Sequence, residues 1–142
     1  MKIELKEQTF DPWQELQSYQ SELDKQKGKI GACSLFVGTM RDFNAGDEVS
    51  AMFLEHYPQM TLQHLEKIAA EASQQWSLEN VFIQHRFGHI DPGDTIVLIA
   101  AWSAHRDGAF QACRFIIEQL KKRAPFWKKE TLSDSSRRWV QQ

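Results

Sequence analysis

A chain of 142 residues with 42% hydrophobic content is long enough to bury its own core, so a single domain over residues 1–142 needs no disulfide framework. A formal charge of −2 excludes a polycation that seeks nucleic acid by bulk charge, and no apolar run approaches bilayer-spanning length. The opening MKIELKEQTFDPW lacks the apolar stretch of a signal peptide, and Cys33 and Cys113 match no CxxC or zinc spacing. The expectation is a cytoplasmic protein with two reduced, buried thiols.

Asp11-Pro12-Trp13-Gln14 is a helix start. Asp accepts from free N–H groups, Pro fits the first helical position, and Gln follows three residues after the cap. Trp13, Leu16, Tyr19 and Leu23 recur at helical spacing as far as Gly28. Residues 30–37 are apolar and β-compatible, whereas residues 38–48 (GTMRDFNAGDE) have the composition of a loop. Residues 49–56 alternate as a strand closed by Tyr57-Pro58. Leu62, Leu65, Ile68, Ala69, Ala72 and Trp76 then mark an amphipathic helix over residues 61–76.

Residues 81–87 form a strand with Val81, Ile83, His85 and Phe87 inward, and Asp91-Pro92-Gly93-Asp94 is a turn. TIVLIAAW at 95–102 has the pattern of a central strand covered on both faces. Residues 107–123 form a helix with Phe110, Cys113, Ile117 and Leu120 on one stripe. Pro125 stops it, and residues 126–131 alternate as a last strand. The tail is polar apart from Trp139-Val140, an apolar pair that needs burial. This order does not repeat as βα units, so the fold class is α+β, a mixed sheet with packed helices.

Two segments carry the chemistry. Ser103-Ala104-His105-Arg106 falls where a buried strand ends and a helix begins. Free N–H groups, an imidazole and a guanidinium there would suit a phosphate or carboxylate; the plainer alternative is a helix entry capped by Asp107 with Arg106 solvated. Residues 121–129 hold five Lys/Arg and no acid. Lys122 follows Glu118 by four residues, the spacing of a surface pair. Lys121 instead continues the stripe Phe110, Arg114, Ile117, and Lys128 faces away from Trp127 and Lys129 in an alternating strand. A turn at Pro125 would bring Lys121 and Lys128 to one pocket; otherwise both snorkel at the surface. Arg41, in the glycine-bearing loop, suits a lid over an anion or plain solvation. His85 and His89 do not converge as metal ligands, and one Trp127 among basic residues is thin support for base stacking.

The stretches GTMRDFNAGDEV, LEHYPQM at 54–60, HRFGHIDPGD at 85–94, SAHRDGAF at 103–110, LKKRAPFWKKE at 120–130 and RRWV at 137–140 resemble the molybdopterin synthase catalytic (large) subunit family, across about residues 30–140. The resemblance implies an α/β hammerhead-type fold and a central homodimer, with a small ubiquitin-like sulfur-carrier subunit at each end of a heterotetramer. It also implies the reaction: the carrier's C-terminal Gly-Gly thiocarboxylate gives sulfur, twice, to cyclic pyranopterin monophosphate in molybdenum cofactor biosynthesis. Carried over by motif position, Lys121 and Lys128 are the catalytic residues. Arg41, His105 and Arg106 bind substrate, with Arg123 and Phe126 as neighbours. No metal or redox cofactor is implied, because the sulfur arrives activated. Family members often run past the RWV motif into a longer basic tail that this sequence does not contain.

The residues fit that chemistry. Two anions must be held together, and clustered cations offset their repulsion and stabilise an oxyanion. Crowding also favours a neutral lysine able to move protons. The alternatives are a non-catalytic module that docks a ubiquitin-like tail and an RNA-binding domain using residues 121–129.

Overall fold

The computed structural model describes residues 1–55, 58–124 and 126–140. Its elements are β1 (Lys2–Lys6), α1 (Pro12–Ser21), β2 (Ala32–Thr39), β3 (Phe43–Asn44), β4 (Asp47–Glu55), α2 (Pro58–Trp76), β5 (Asn80–Arg86), β6 (Gly88–Ile90), β7 (Thr95–Ser103), α3 (Arg106–Arg123), β8 (Trp127–Leu132) and β9 (Arg137–Val140). The first sheet has the order β1-β5-β7-β2, with β1 parallel to β5 and the other pairs antiparallel. The second runs β3-β4-β8-β9, with β6 also paired to β4. The α+β class with a mixed sheet is what the sequence led us to expect.

The main core lies between the first sheet, helices α2 and α3, and the inner face of the second sheet. Leu65 and Ile68 of α2 meet Ile116 and Leu120 of α3, Ile83 and Ile99 of the first sheet, and Met52 and Leu54 of β4. Helix α1 covers the opposite face of the first sheet, where Tyr19 stacks on Phe82 at 4.5 Å and its hydroxyl donates to Asn80 Oδ1 at 2.8 Å. The predicted cap holds: the Asp11 carboxylate accepts from the Trp13 and Gln14 N–H groups. β7 is a central strand, buried from Val97 to Ser103.

Several details differ from the sequence reading. α1 ends at Ser21 and a 3-10 turn, Asp24–Gln26, follows, so the helix does not continue to Gly28. β5 is buried on both faces from Val81 to Arg86, because α1 covers the side that alternation assigned to solvent. The loop 38–48 contains a β3–β4 hairpin whose turn residues Ala45 (φ 52°) and Gly46 (φ 83°) are both left-handed, as a two-residue hairpin turn requires. β1 and β9 were not foreseen; both are short, charged edge strands, a composition that blunts sheet edges and hides strand pattern. Trp139 is 53% exposed on β9, with the Lys129 ammonium 5.3 Å from its ring centroid, so the aromatic is covered by a cation rather than buried. Cys113 is buried as expected, but Cys33 is exposed on the edge strand β2.

α3 is rotated relative to the predicted stripe. Its buried face is Ala109, Ala112, Cys113, Ile116 and Leu120, while Phe110 is 66% exposed. The two alanines let the helix sit close to the sheet, and small residues carry little weight in a hydrophobic pattern. Tyr57 and Pro125 lie outside the described residues.

The β7–α3 junction is held against the start of β2. The Gly31 N–H donates to the Ser103 carbonyl at 2.9 Å, and a Cβ at Gly31 would collide with the Ala104 carbonyl oxygen. Backbone cannot swing aside as a side chain can, so Gly31→Ala should lower stability by roughly 1–3 kcal/mol, the range for overpacking. Urea unfolding measures this; an unchanged midpoint would show that the junction relaxes without cost.

Candidate functional site

Between the two sheets a cavity of about 400 Å³ opens, and the ends of three elements deliver cations to it from three directions. Lys121 comes from the last turn of α3, one turn after Ile117, which also lines the wall. Basic residues are favoured there by the negative end of the helix dipole. Lys128 comes from β8, opposite Leu54 of β4 in register; strand alternation sends Lys128 and Glu130 inward and Lys129 outward to Trp139. Arg41 follows β2. Its neighbour Met40 is pinned on both sides by the 91–94 turn: the Met40 N–H donates to Asp94 O at 2.9 Å, and Gly93 N–H donates to Met40 O at 2.8 Å. The Arg41 guanidinium lies 4.8 Å from the Phe43 ring centroid. Arg41 is therefore braced at its base.

The floor is aromatic. His85 of β5 lines the cavity and stacks on Phe126, with centroids 3.9 Å apart and planes at 16°. His85 Nδ1 donates to the Arg86 carbonyl at 2.7 Å, which fixes the ring orientation. A smaller adjoining cavity, about 110 Å³, shares Arg41 and Lys128 and adds Asn44 and Glu130.

Among the described residues, none of Arg41, Lys121 and Lys128 has a carboxylate within 4 Å. Burial, then the Lys121 charge and to a lesser degree that of Arg41, pull the Lys128 pKa below the usual lysine value; Glu130 pushes it back up. A cavity rimmed by cations without carboxylate partners, one of them with a lowered pKa, suits an anionic ligand and a proton transfer.

Other predicted residues fall elsewhere in the chain. His105 is the N-cap of α3 without a side-chain cap bond, and it and Arg106 are exposed. Asp107 is not the cap: it sits in the first turn, where Gln111 Nε2 donates to it. Fifteen residues of helix separate Arg106 from Lys121, about 22 Å along the axis, so one chain does not bring His105 and Arg106 to the cavity that holds Lys121. Arg123 does not line that cavity; it donates to both Glu71 carboxylate oxygens on α2, at 2.6 and 3.1 Å, and ties the two helices. Phe126 contributes through the His85 stack. Glu118 is paired with Arg114 at 2.9 Å rather than with Lys122. His85 was legible as an inward strand residue and Glu130 by its parity with Lys128, yet neither pattern says where the sheet's inner face opens.

Two measurements follow. Lys121→Met removes a like charge and should raise the Lys128 pKa, while Glu130→Gln should lower it; Nζ or Cε chemical shifts against pH report both. Because the folded value lies below the unfolded one, the unfolded chain holds the extra proton between the two. Stability through Lys128 therefore rises with pH across that window, and Lys128→Met should flatten the rise. A Lys128 that titrates as an ordinary lysine would remove the proton-transfer argument.

Comparisons with known proteins point to one family. A family model described as MoaE protein matches residues 5–123. The chain is 51% identical over 141 residues to the molybdopterin synthase catalytic subunit of Pseudomonas aeruginosa, covering 99% of this chain and 91% of that one. The crystal structure of molybdopterin synthase from Staphylococcus aureus superposes with a TM-score of 0.83 at 28% identity, covering 96% of this chain and 94% of the other. A complex of subunits 1 and 2 of molybdopterin-converting factor from Helicobacter pylori shares the fold, with a TM-score of 0.80 at 21% identity and coverage of 99% and 90%. With a family model spanning most of its length and a half-identical relative over nearly all of it, the chain belongs to the MoaE protein family, that of molybdopterin synthase catalytic subunits.

Proposed function

We propose that this chain is the catalytic subunit of a molybdopterin synthase, moving sulfur from the C-terminal thiocarboxylate of a small ubiquitin-like carrier onto cyclic pyranopterin monophosphate. The observation that carries the reading is the convergence of Arg41, Lys121 and Lys128, without carboxylate partners, on one cavity in a chain of this family. Phosphate and thiocarboxylate are both anions. Arg41 and Lys121 offset their repulsion and the charge that develops on the acyl oxygen. Lys128, with its lowered pKa, exchanges a proton with the reacting centre. His85, backed by Phe126, lines the cavity beside these cations.

His105 and Arg106 fit the same function only if a second copy supplies them. Lys121 and Arg106 lie nearly symmetrically about Arg114 on α3, so a two-fold axis passing near Arg114 would bring one chain's Arg106 towards its partner's Lys121. The surface there suits such a contact: β2 is an edge strand, and Leu35 (39% exposed), Phe110 and Ile117 make an apolar hollow beside it. The homodimer is thus part of the catalytic reading, while Arg123 belongs to helix packing.

Single-turnover molybdopterin formation with thiocarboxylated carrier tests the lysines. Lys121→Ala and Lys128→Ala should each lose roughly 10²–10⁴-fold, the scale of a positioned acid–base group, with folding intact. Lys122→Ala should retain turnover. Equal losses at Lys121 and Lys122 would mean diffuse charge and no defined site.

Mixing tests the shared site. Arg106→Ala and Lys121→Ala chains, each weak alone, should recover about a quarter of wild-type activity after subunit exchange, since half of random dimers are mixed and each holds one intact site. No recovery would show that Arg106 does not serve a neighbouring chain's cavity.

A further inference from the structure

The RRWV segment forms β9, and its second arginine donates from all three guanidinium nitrogens to groups on three other strands. Arg138 Nε donates to Glu130 Oε1 at 2.9 Å, Nη1 to Asp47 Oδ2 at 2.9 Å, and Nη2 to the Asn44 carbonyl at 2.9 Å. One guanidinium therefore joins β9, β8 and both strands of the β3–β4 hairpin. Glu130 is only 6% exposed, and Asn44 Nδ2 lies 3.1 and 3.3 Å from its two oxygens, closing the network. Glu130 and Lys128 are two residues apart on the inner face of β8 and line the same small cavity. Side chains so placed are within reach of each other, yet no ion pair joins them within 4 Å.

We propose that Arg138 is a positioning residue: by holding the Glu130 carboxylate against β9 and the hairpin turn, it keeps Lys128 unpaired and open to the anions of the substrate. A buried carboxylate needs a cation. With Arg138 in place that need is met from β9, on the side away from the cavity. Without it, Lys128, two residues from Glu130 on the same face of β8, is the cation on that strand that can meet the need. Glu130 would then capture the lysine, raise its affinity for protons, and remove a positive charge from the site. The groups that set the Lys128 charge are Lys121 from α3, Arg41 after β2 and Glu130 on its own strand, with His85 of β5 lining the same space. Only Glu130 changes its partner in this exchange. Lysine could not replace the arginine fully, since a single ammonium cannot match the planar fork that serves three acceptors on three strands. The inference uses the sulfur-transfer reading only for what Lys128 does, not for how it is held.

The test is the Lys128 titration followed by NMR, which needs no substrate. Arg138→Gln should move it upward, and Arg138→Gln with Glu130→Gln should bring it back to or below the wild-type position. A role confined to bracing β9 would lower thermal stability without that reversal. In turnover, Arg138→Gln should raise KM for the pterin about tenfold, the scale of one charge-assisted hydrogen bond, with a smaller change in kcat. A folded Arg138→Gln with an unmoved Lys128 titration overturns the proposal, as does a double variant that stays shifted. Should Arg138→Gln fail to fold, Arg138→Lys carries the test, with an upward shift expected from loss of the fork and no shift counting against it. If the titrations behave as stated but no sulfur is transferred, the functional reading fails and the role of Arg138 stands.

Discussion

Like charges held around one small cavity repel each other, and everything near Lys128 exists under that constraint. Two unit charges 4 Å apart interact by about 4 kcal/mol at an effective dielectric near 20, so three cations around one cavity cannot be left to flexible side chains alone. The fold restrains them from the backbone. Arg41 follows a residue bonded on both sides to the 91–94 turn, Lys121 closes a helix packed on two layers, and Lys128 is fixed by β4 on one flank and β9 on the other. Repulsion of this kind is relieved by an anionic ligand, which makes binding and the easing of repulsion one event.

The same constraint explains how the acids are placed. Glu71 is engaged by Arg123, Glu118 by Arg114, and Glu130 and Asp47 by Arg138. In a chain that carries more acidic than basic residues, the cavity stays positive because other arginines occupy the neighbouring carboxylates. The local field arises from pairing, not from composition, and the near-neutral total charge conceals it.

Much of this was legible in the sequence. The Asp11-Pro12 cap, the apolar β7 and the amphipathic α2 follow from local patterns, and Lys121 and Lys128 stood out by helix and strand periodicity. What stayed hidden depended on neighbours far along the chain. β1 reads as a charged segment until β5 lies beside it, and the Ala45-Gly46 turn is weaker as a signal than Asn-Gly would be. The burial of both faces of β5 required knowing that α1 crosses over them. His105 and Arg106 were recognisable as a basic pair at a helix start, but their distance from Lys121 is set by the whole of α3 and appears only when the helix is laid out straight.

That helix also acts as a ruler. Its ends carry the two basic groups and its middle faces the apolar hollow, so spacing and facing are set by the number of residues between them. One residue inserted between Gly108 and Glu118 would turn Lys121 by about 100° relative to Arg106 and swing it off the cavity wall. Two full turns would restore the facing but lengthen the span by about 10 Å. Single substitutions outside its basic ends and the apolar hollow leave that spacing intact, whereas a change in its length does not. Insertions and deletions in this protein should accordingly collect in the turns after α1 and β8 and leave this segment untouched.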